Sequence, residues 1–227
     1  ATSAYVTDYL EKSFGGFARS YPYEGEDMMA NSAGGFIWDK VLAAGLTFRN
    51  YGEMDYASTS PAASWLQIYN DYINGTGAIR YVQNIGIASL RPFSSTNVPG
   101  WNMGIPDVVR AQGFIKELNQ AQQRGSWESF HLLYLPNDHT GGPPTPRAQV
   151  ADNDLALGLV VVTVVQISSG FQKGDGHRLG SDNAPVQELT RPENPPDVYY
   201  FVLDMYTRAD LMLSAYGYDN SGFLKDL

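Results

Sequence analysis

The feature that most constrains the fold is a helical pattern that leads directly into a predicted strand. Pro106 is placed to open a helix and Gly125 to end it. An apolar stripe at helical spacing lies between them: Val108, Ala111, Ile115 and Leu118. The apolar residues 132–135 follow and predict a buried strand. A helix that leads into a strand in this way is typical of α/β proteins.

Further helices and strands are predicted on either side of this unit. Residues 5–12, 36–42 and 65–74 carry helical patterns, whereas residues 46–51 alternate as a strand does. Residues 79–99 are rich in turn residues and predict a long excursion on the surface. We therefore expect a single α/β domain over residues 1–227, with a mixed or parallel sheet.

The segment after the predicted strand has two interpretations. Asp152 or Asn153 could cap a helix that begins at Asp154, and Asp152 and Asp154 are then expected to act as capping residues. Residues 160–165 are mostly β-branched, which favours a buried strand instead. The sequence leaves helix and strand both open here.

Charge and composition exclude several classes of function. The chain carries 15 Lys and Arg against 24 Asp and Glu, a net charge of −9, so we expect no nucleic-acid partner. It has no cysteine, which excludes disulfides and thiolate metal sites. The apolar residues 155–165 are too few to span a bilayer, which takes about 20. No basic start with an apolar continuation opens the sequence, so we expect neither a transmembrane segment nor a signal peptide.

Asp138 and His139 are the best candidates for a functional site. They follow the predicted strand 132–135, and ligands in α/β proteins bind at the carboxyl ends of strands. A carboxylate and an imidazole together suit a divalent cation. The alternative is a loop aspartate that bonds its own backbone beside an exposed histidine. His177 lies in a second Gly-rich loop with Asp175 and Arg178, either as a further ligand or as a turn histidine.

An ordered set of short pieces resembles one family. The chain over about residues 5–158 is similar to the bacterial phosphoesterase family of the alkaline phosphatase superfamily, which includes phospholipase C-like and acid phosphatase-like enzymes. The pieces that carry the resemblance are Tyr9-Leu10-Glu11-Lys12, Tyr23-Glu24-Gly25, Gly35-Phe36-Ile37-Trp38-Asp39, Phe48-Arg49-Asn50-Tyr51-Gly52-Glu53, Leu135-Pro136-Asn137-Asp138-His139-Thr140, Pro144-Thr145-Pro146-Arg147 and Ala151-Asp152-Asn153-Asp154-Leu155-Ala156-Leu157-Gly158.

The resemblance implies a fold and an activity. It implies a three-layer α/β/α sandwich with a mixed, mostly parallel sheet, and metal-dependent hydrolysis of a small-molecule or lipid phosphate ester. Asp138 and His139 match the family's Asn-Asp-His-Thr segment as metal ligands, and His177 matches a later His-Arg piece. From the ligand types we expect zinc, manganese or iron, or calcium if oxygen ligands dominate. The resemblance implies an extracytoplasmic location, either periplasmic or secreted.

The chain also departs from the family pattern. Family members place an acidic ligand and the nucleophile before the first matching piece, and a Glu-Asp-Asp cluster after the last. The 227 residues hold no match to these pieces, and the part from about residue 179 is divergent. The sheet is therefore expected to be incomplete relative to the family, and no nucleophile or oligomeric state is assigned. The alternative function is a catalytically degenerate relative whose Tyr and Trp residues serve binding or interaction.

Overall fold

A computed structural model describes residues 2, 3, 5–13, 25, 27–172, 213, 214 and 219. In this part of the chain the helices and strands follow one another as α1 (Asp8–Ser13), α2 (Ile37–Ala43), β1 (Phe48–Tyr51), β2 (Ser58–Ser60), α3 (Trp65–Asn74), β3 (Arg80–Val82), α4 (Asp107–Arg124), β4 (Phe130–Leu133) and α5 (Pro146–Gln172). Three short 3₁₀ helices lie between them: Met28–Ala30, Ala88–Phe93 and Pro136–His139. The predicted mixed α/β character is confirmed.

The described strands form one parallel and one antiparallel pair. β1 and β4 run parallel, with Phe48 opposite Phe130 and Tyr51 opposite Leu133. β2 and β3 form a short antiparallel pair in which Ser58 lies opposite Val82. Because β1 and β4 are parallel, their carboxyl ends lie at the same edge of the sheet.

Apolar side chains cover both faces of the parallel pair. Tyr51 packs in the core that α4 and α5 build, and Leu133 packs against it. Phe48 lies in a second core with Trp38 of α2, and Leu132 packs against that core. Successive strand residues thus enter opposite cores, as the alternation of side chains along a strand requires.

Helix α4 has the two ends that the sequence predicts. It begins at Asp107 after Pro106, and Gly125 ends it in the left-handed conformation with φ 65°. Pro106 supplies no capping side chain. The backbone N–H of Asp107 instead donates to Asp152 Oδ2 of α5 at 2.5 Å. A carboxylate from another helix therefore caps α4.

Residues 160–165 are helical, within α5, which settles the open choice between helix and strand. The helix is stabilised by buried residues at helical spacing, which pack in the core with α4: Ala156, Val160, Val164 and Ile167. Tertiary packing thus overrides the β-propensity of the valines. Thr145 starts the helix, since its Oγ1 accepts from the backbone N–H of Ala148 at 3.2 Å. The prediction that Asp152 and Asn153 cap this helix was wrong, because both lie inside it.

Within the described residues, the Pro146–Ile167 part of α5 is long and apolar enough to cross a membrane, with a mean hydropathy of 1.6. Half of that stretch is buried inside the protein. In the described structure α5 is therefore a core helix, although Leu155, Leu159, Val162 and Val165 are exposed on its outer side.

The prediction of a surface excursion over residues 79–99 was wrong. Leu90 is fully buried, and Ile87 belongs to the same core as Phe48. The part of this segment after β3 covers one face of the parallel pair with a 3₁₀ helix and isolated bridges rather than with a regular helix or strand. Such structure leaves no periodicity in the sequence, which explains the error.

Candidate metal site at the carboxyl edge of the parallel strands

Asp138 and His139 lie where the sequence places them, directly beyond the carboxyl end of a strand. They are the last two residues of the 3₁₀ helix Pro136–His139, which follows β4. Both side chains are half-buried. Thr140 ends the segment in the left-handed conformation with φ 57°. We refer to Pro136–His139 as the Asp-His segment.

An aromatic contact fixes the surroundings of His139. Its ring meets Trp101 edge to face, with centroids 5.1 Å apart and planes at 88°. Trp101 also stacks on Tyr134, with centroids 6.3 Å apart. The backbone of Trp101 is held on both sides, since its N–H donates to Asp55 O at 2.7 Å and its carbonyl accepts from Ala57 at 3.0 Å. Trp101, which lies beside His139, is therefore held in place by backbone hydrogen bonds on both sides.

Asn137, the residue before Asp138, anchors the Asp-His segment from below. It has no solvent exposure. Its backbone N–H donates to Asp107 Oδ2 at 2.9 Å. Its side-chain Nδ2 donates to Asp152 Oδ2 at 2.9 Å and to the carbonyl of Ile105 at 3.2 Å. The segment is thus bound to the start of α4 and to the interior of α5.

Asp107 is the acceptor that joins these elements. In addition to Asn137, Asn153 of α5 donates to Asp107 Oδ2 at 2.8 Å and to the carbonyl of Leu135 at 3.1 Å. Arg110 donates to Asp107 Oδ1 at 2.9 Å, and both side chains are fully buried. Burial raises the pKa of Asp107, and the positive charge of Arg110 opposes that rise.

Arg110 uses all five of its N–H donors. One goes to Asp107, and the other four go to backbone carbonyls at 2.6–3.0 Å: Pro99, Gly100, Asn102 and Ile105. These carbonyls belong to the loop that carries Trp101. Arg110 therefore holds the loop beside His139 and, through Asp107, the backbone of the Asp-His segment.

A close approach of the backbone at Gly100 to the backbone near Asp55 also supports the loop that carries Trp101. Asp55 is fully buried, and its carboxylate accepts from the backbone N–H groups of Asn84 at 2.6 Å and Gly100 at 2.7 Å. Burial raises the pKa of Asp55, against these two hydrogen bonds and the charge of Arg110. A Cβ at Gly100 would meet the carbonyl oxygens of Asp55 and Gly52, so only glycine fits there.

Glu53 places a further carboxylate just beyond the carboxyl end of β1. The Asn50 side chain shapes the turn, since Oδ1 accepts from the N–H of Glu53 at 3.1 Å and Nδ2 donates to its carbonyl at 2.9 Å. Glu53 is half-buried and accepts from Thr2 Oγ1 at 3.3 Å.

The donors of the Asp-His segment suit a metal ion chemically, because they are one carboxylate and one imidazole. Over residues 27–172 and the other described positions, no group of three or more His, Cys, Asp or Glu side chains is arranged to hold a metal. His177 lies outside the described residues. A complete site would therefore need a ligand beyond these two.

The support for the site was not predicted from the sequence. Asn137, Arg110 and Trp101 were not singled out, although all three hold or border the Asp-His segment. One signal was available: Arg110 is a charged residue one position before the apolar Ala111, within the first turns of the predicted helix.

An open cleft of about 510 Å³ lies elsewhere in the described structure. It is lined by Thr2, Ser3, Tyr5, Lys40 and residues 32–37. Neither Asp138 nor His139 contributes to its lining. The cleft and the Asp-His segment are therefore separate features.

Comparison of the chain with family models, curated proteins and solved structures finds no match. The phosphoesterase resemblance of the short motifs stays a prediction.

Proposed function

We propose that this protein is a metal-dependent hydrolase of phosphoric esters, similar to the phosphoesterases of the alkaline phosphatase superfamily. Asp138 and His139 would hold the metal, with His177 as a further ligand. The proposal includes the finer fold and location that the resemblance implies: a three-layer α/β/α sandwich with a mostly parallel sheet, in an extracytoplasmic protein.

The buried anchoring of Asn137 is the observation that carries the proposal. Metal ligands bind well when the surrounding hydrogen bonds hold them in place before the ion arrives. The residue before Asp138 is held by one backbone and two side-chain hydrogen bonds in the interior. These hydrogen bonds limit how far the backbone that carries Asp138 can move.

The charge of the protein also favours a metal. Phosphoric esters are anionic and the chain carries a net charge of −9, so a bound cation would supply the positive charge that the substrate needs. A divalent metal at Asp138 and His139 would polarise the phosphoryl oxygens and activate a nucleophile. Mixed carboxylate and imidazole ligands favour zinc, manganese or iron, whereas a shell dominated by oxygen would favour calcium or magnesium.

Elemental analysis of the purified protein tests the proposal directly. We expect a stoichiometric divalent metal in the wild type and its loss in the double variant Asp138→Ala/His139→Ala. The matched control is Glu128→Gln/His131→Gln, which removes another acid–imidazole pair, 4.0 Å apart, near the opposite end of β4. This control should retain the metal. His177→Ala should weaken binding, because it removes the proposed further ligand.

Hydrolysis of para-nitrophenyl phosphate then tests the activity. We expect turnover that EDTA abolishes and that added zinc or manganese restores. A protein that binds no metal after incubation with zinc, manganese and calcium would contradict the proposal.

A catalytically degenerate relative that acts as a binding or interaction protein is the second candidate. Exposed apolar side chains on α3, β3 and the adjacent loop favour it: Tyr56, Leu66, Ile73 and Val82 are 47–61% exposed. The absence of turnover, together with thermal stability that EDTA does not change, would support this candidate over the first.

A further inference from the structure

Two buried oxygen atoms beneath the Asp-His segment lack a hydrogen-bond donor among the described residues. They are Asn137 Oδ1 and Asp152 Oδ1. Asn137 has no solvent exposure, and Asp152 is only 6% exposed. Their two side chains already share one hydrogen bond, from Asn137 Nδ2 to Asp152 Oδ2 at 2.9 Å. A buried acceptor without a donor is destabilising, so this pair needs an explanation.

The charged groups around Asn137 and Asp152 explain why these two oxygens have no donor. Asp107 and Asp152 are two buried carboxylates, and Arg110 is the buried cation of the same cluster. All five donors of Arg110 go to Asp107 and to backbone carbonyls, so none is available for Asp152. The other titratable groups on the elements packed around Asp152 are Tyr72 of α3, Asp138 and His139 of the Asp-His segment, and Asp154 of α5 itself.

We propose that Asp152 of the folded protein carries a proton in mildly acidic solution and that its Oδ1–H then donates to Asn137 Oδ1. A carboxylic acid and a primary amide can form two hydrogen bonds at once, with one donor from each group. The existing bond from Asn137 supplies the first, and the proton on Asp152 supplies the second. The added proton would make Asp152 Oδ1 a donor to Asn137 Oδ1, which gives both oxygens a hydrogen-bond partner, and it would remove one buried negative charge.

This acid–amide pair is a pH-sensitive hydrogen-bonded contact between α5 and the Asp-His segment. When Asp152 loses this proton to solvent, Asp152 Oδ1 and Asn137 Oδ1 are two acceptors without a donor, beside the buried charge of Asp107. The link between α5 and Asn137 then weakens. The inference concerns the fold and goes beyond the proposed activity, because it stands whether or not the segment binds a metal.

The electrostatic surroundings agree with this geometry. Burial first, and then the charge of Asp107, raise the pKa of Asp152 to about 6, against hydrogen bonds from Asn137 and the backbone of α4. Because the folded-state pKa lies above the unfolded one, the contribution of Asp152 to stability is present at low pH. It is lost as the pH rises through about 6.

The variant Asp152→Asn keeps a hydrogen-bond donor at position 152 but cannot become charged. The amide offers an N–H to Asn137 Oδ1 without titrating, and its oxygen can still accept from Asn137 and from the N–H of Asp107. Urea unfolding of the wild type and the variant is measured from pH 5 to pH 8. We expect the unfolding constant of the wild type, relative to the variant, to rise about tenfold over this range.

The same pH dependence in both proteins, or a loss of stability in Asp152→Asn at pH 5, would overturn the proposal. Infrared spectroscopy of the wild type gives a second test. Below pH 6 the wild type should show the carbonyl band of a protonated carboxylic acid, and that band should titrate near pH 6. The band should persist in Asp55→Asn, where another buried carboxyl is removed, and a wild-type spectrum without it would contradict the proposal.

Discussion

Replacement of Arg110 by methionine tests the buried support of the Asp-His segment. The methionine side chain fills much of the same space but has no charge and no donor. The change leaves Asp107 buried without its cation, and removal of one partner from a buried ion pair costs about 3–5 kcal/mol. The carbonyls of Pro99, Gly100 and Asn102 also lose the donor that Arg110 supplied. Each such loss costs about 1–3 kcal/mol, less where water replaces the donor.

The expected total is therefore at least about 4 kcal/mol of the free energy of unfolding. That is a large share of the roughly 5–15 kcal/mol that stabilises a typical domain. With a urea dependence of about 2 kcal/mol per molar, the unfolding midpoint should fall by about 2 M. Urea titration followed by circular dichroism measures this shift.

Arg49→Met is the matched control. Arg49 pairs with Glu117 at 2.9 Å, but its side chain is 27% exposed, so its removal should cost only about 1 kcal/mol. Arg110→Met/Asp107→Asn should be more stable than the sum of the two single changes predicts, because it also removes the unpaired charge. A cost for Arg110→Met no larger than that of Arg49→Met, or strictly additive effects, would refute the reasoning.

Three further predictions follow from packing and charge. Gly100→Ala should lower stability by about 2–4 kcal/mol, since its Cβ meets two backbone carbonyls, whereas Gly141→Ala, with nothing within 4 Å, should be nearly neutral in a thermal melt. Leu118→Ala should cost about 2–5 kcal/mol because Leu118 is 1% exposed, and Leu155→Ala, at 50% exposure, should cost under about 1 kcal/mol; equal costs would contradict the burial argument. From a pKa of about 6 against 3.8 unfolded, Asp152 should contribute up to about 3 kcal/mol at pH 3 that is absent at pH 8, which the difference between wild type and Asp152→Asn measures by urea titration.

Elements with local start and stop residues could be predicted from the sequence. Pro106 and Gly125 mark the two ends of α4, and the structure confirms both. A strand before the Asp-His segment was predicted over residues 132–135, whereas β4 spans Phe130–Leu133 and is half-buried rather than buried. These features depend on neighbours along the chain, which a sequence shows directly.

Features that depend on distant contacts could not be predicted in this way. The network around Asp107 joins Asn137, Asp152 and Asn153, which lie 30–46 positions away along the chain. The sequence predicted that Asp152 caps its own helix, whereas the structure places it inside α5 with its carboxylate at the N-terminus of α4. The valines of α5 were ambiguous for a similar reason, because only the contact with α4 decides between helix and strand.

The shared hydrogen bonds of Asp107 have an evolutionary consequence. A single carboxylate at position 107 accepts from the side chains of Arg110 and Asn153 and from the backbone N–H of Asn137, so a change at Asp107 leaves all three donors without this acceptor, and a change at Arg110 leaves Asp107 without its cation. In homologous sequences we expect these positions to vary together or not at all. Substitutions would then enter this part of the protein as compensated sets, and the Asp-His segment should drift more slowly than its place in a loop would suggest.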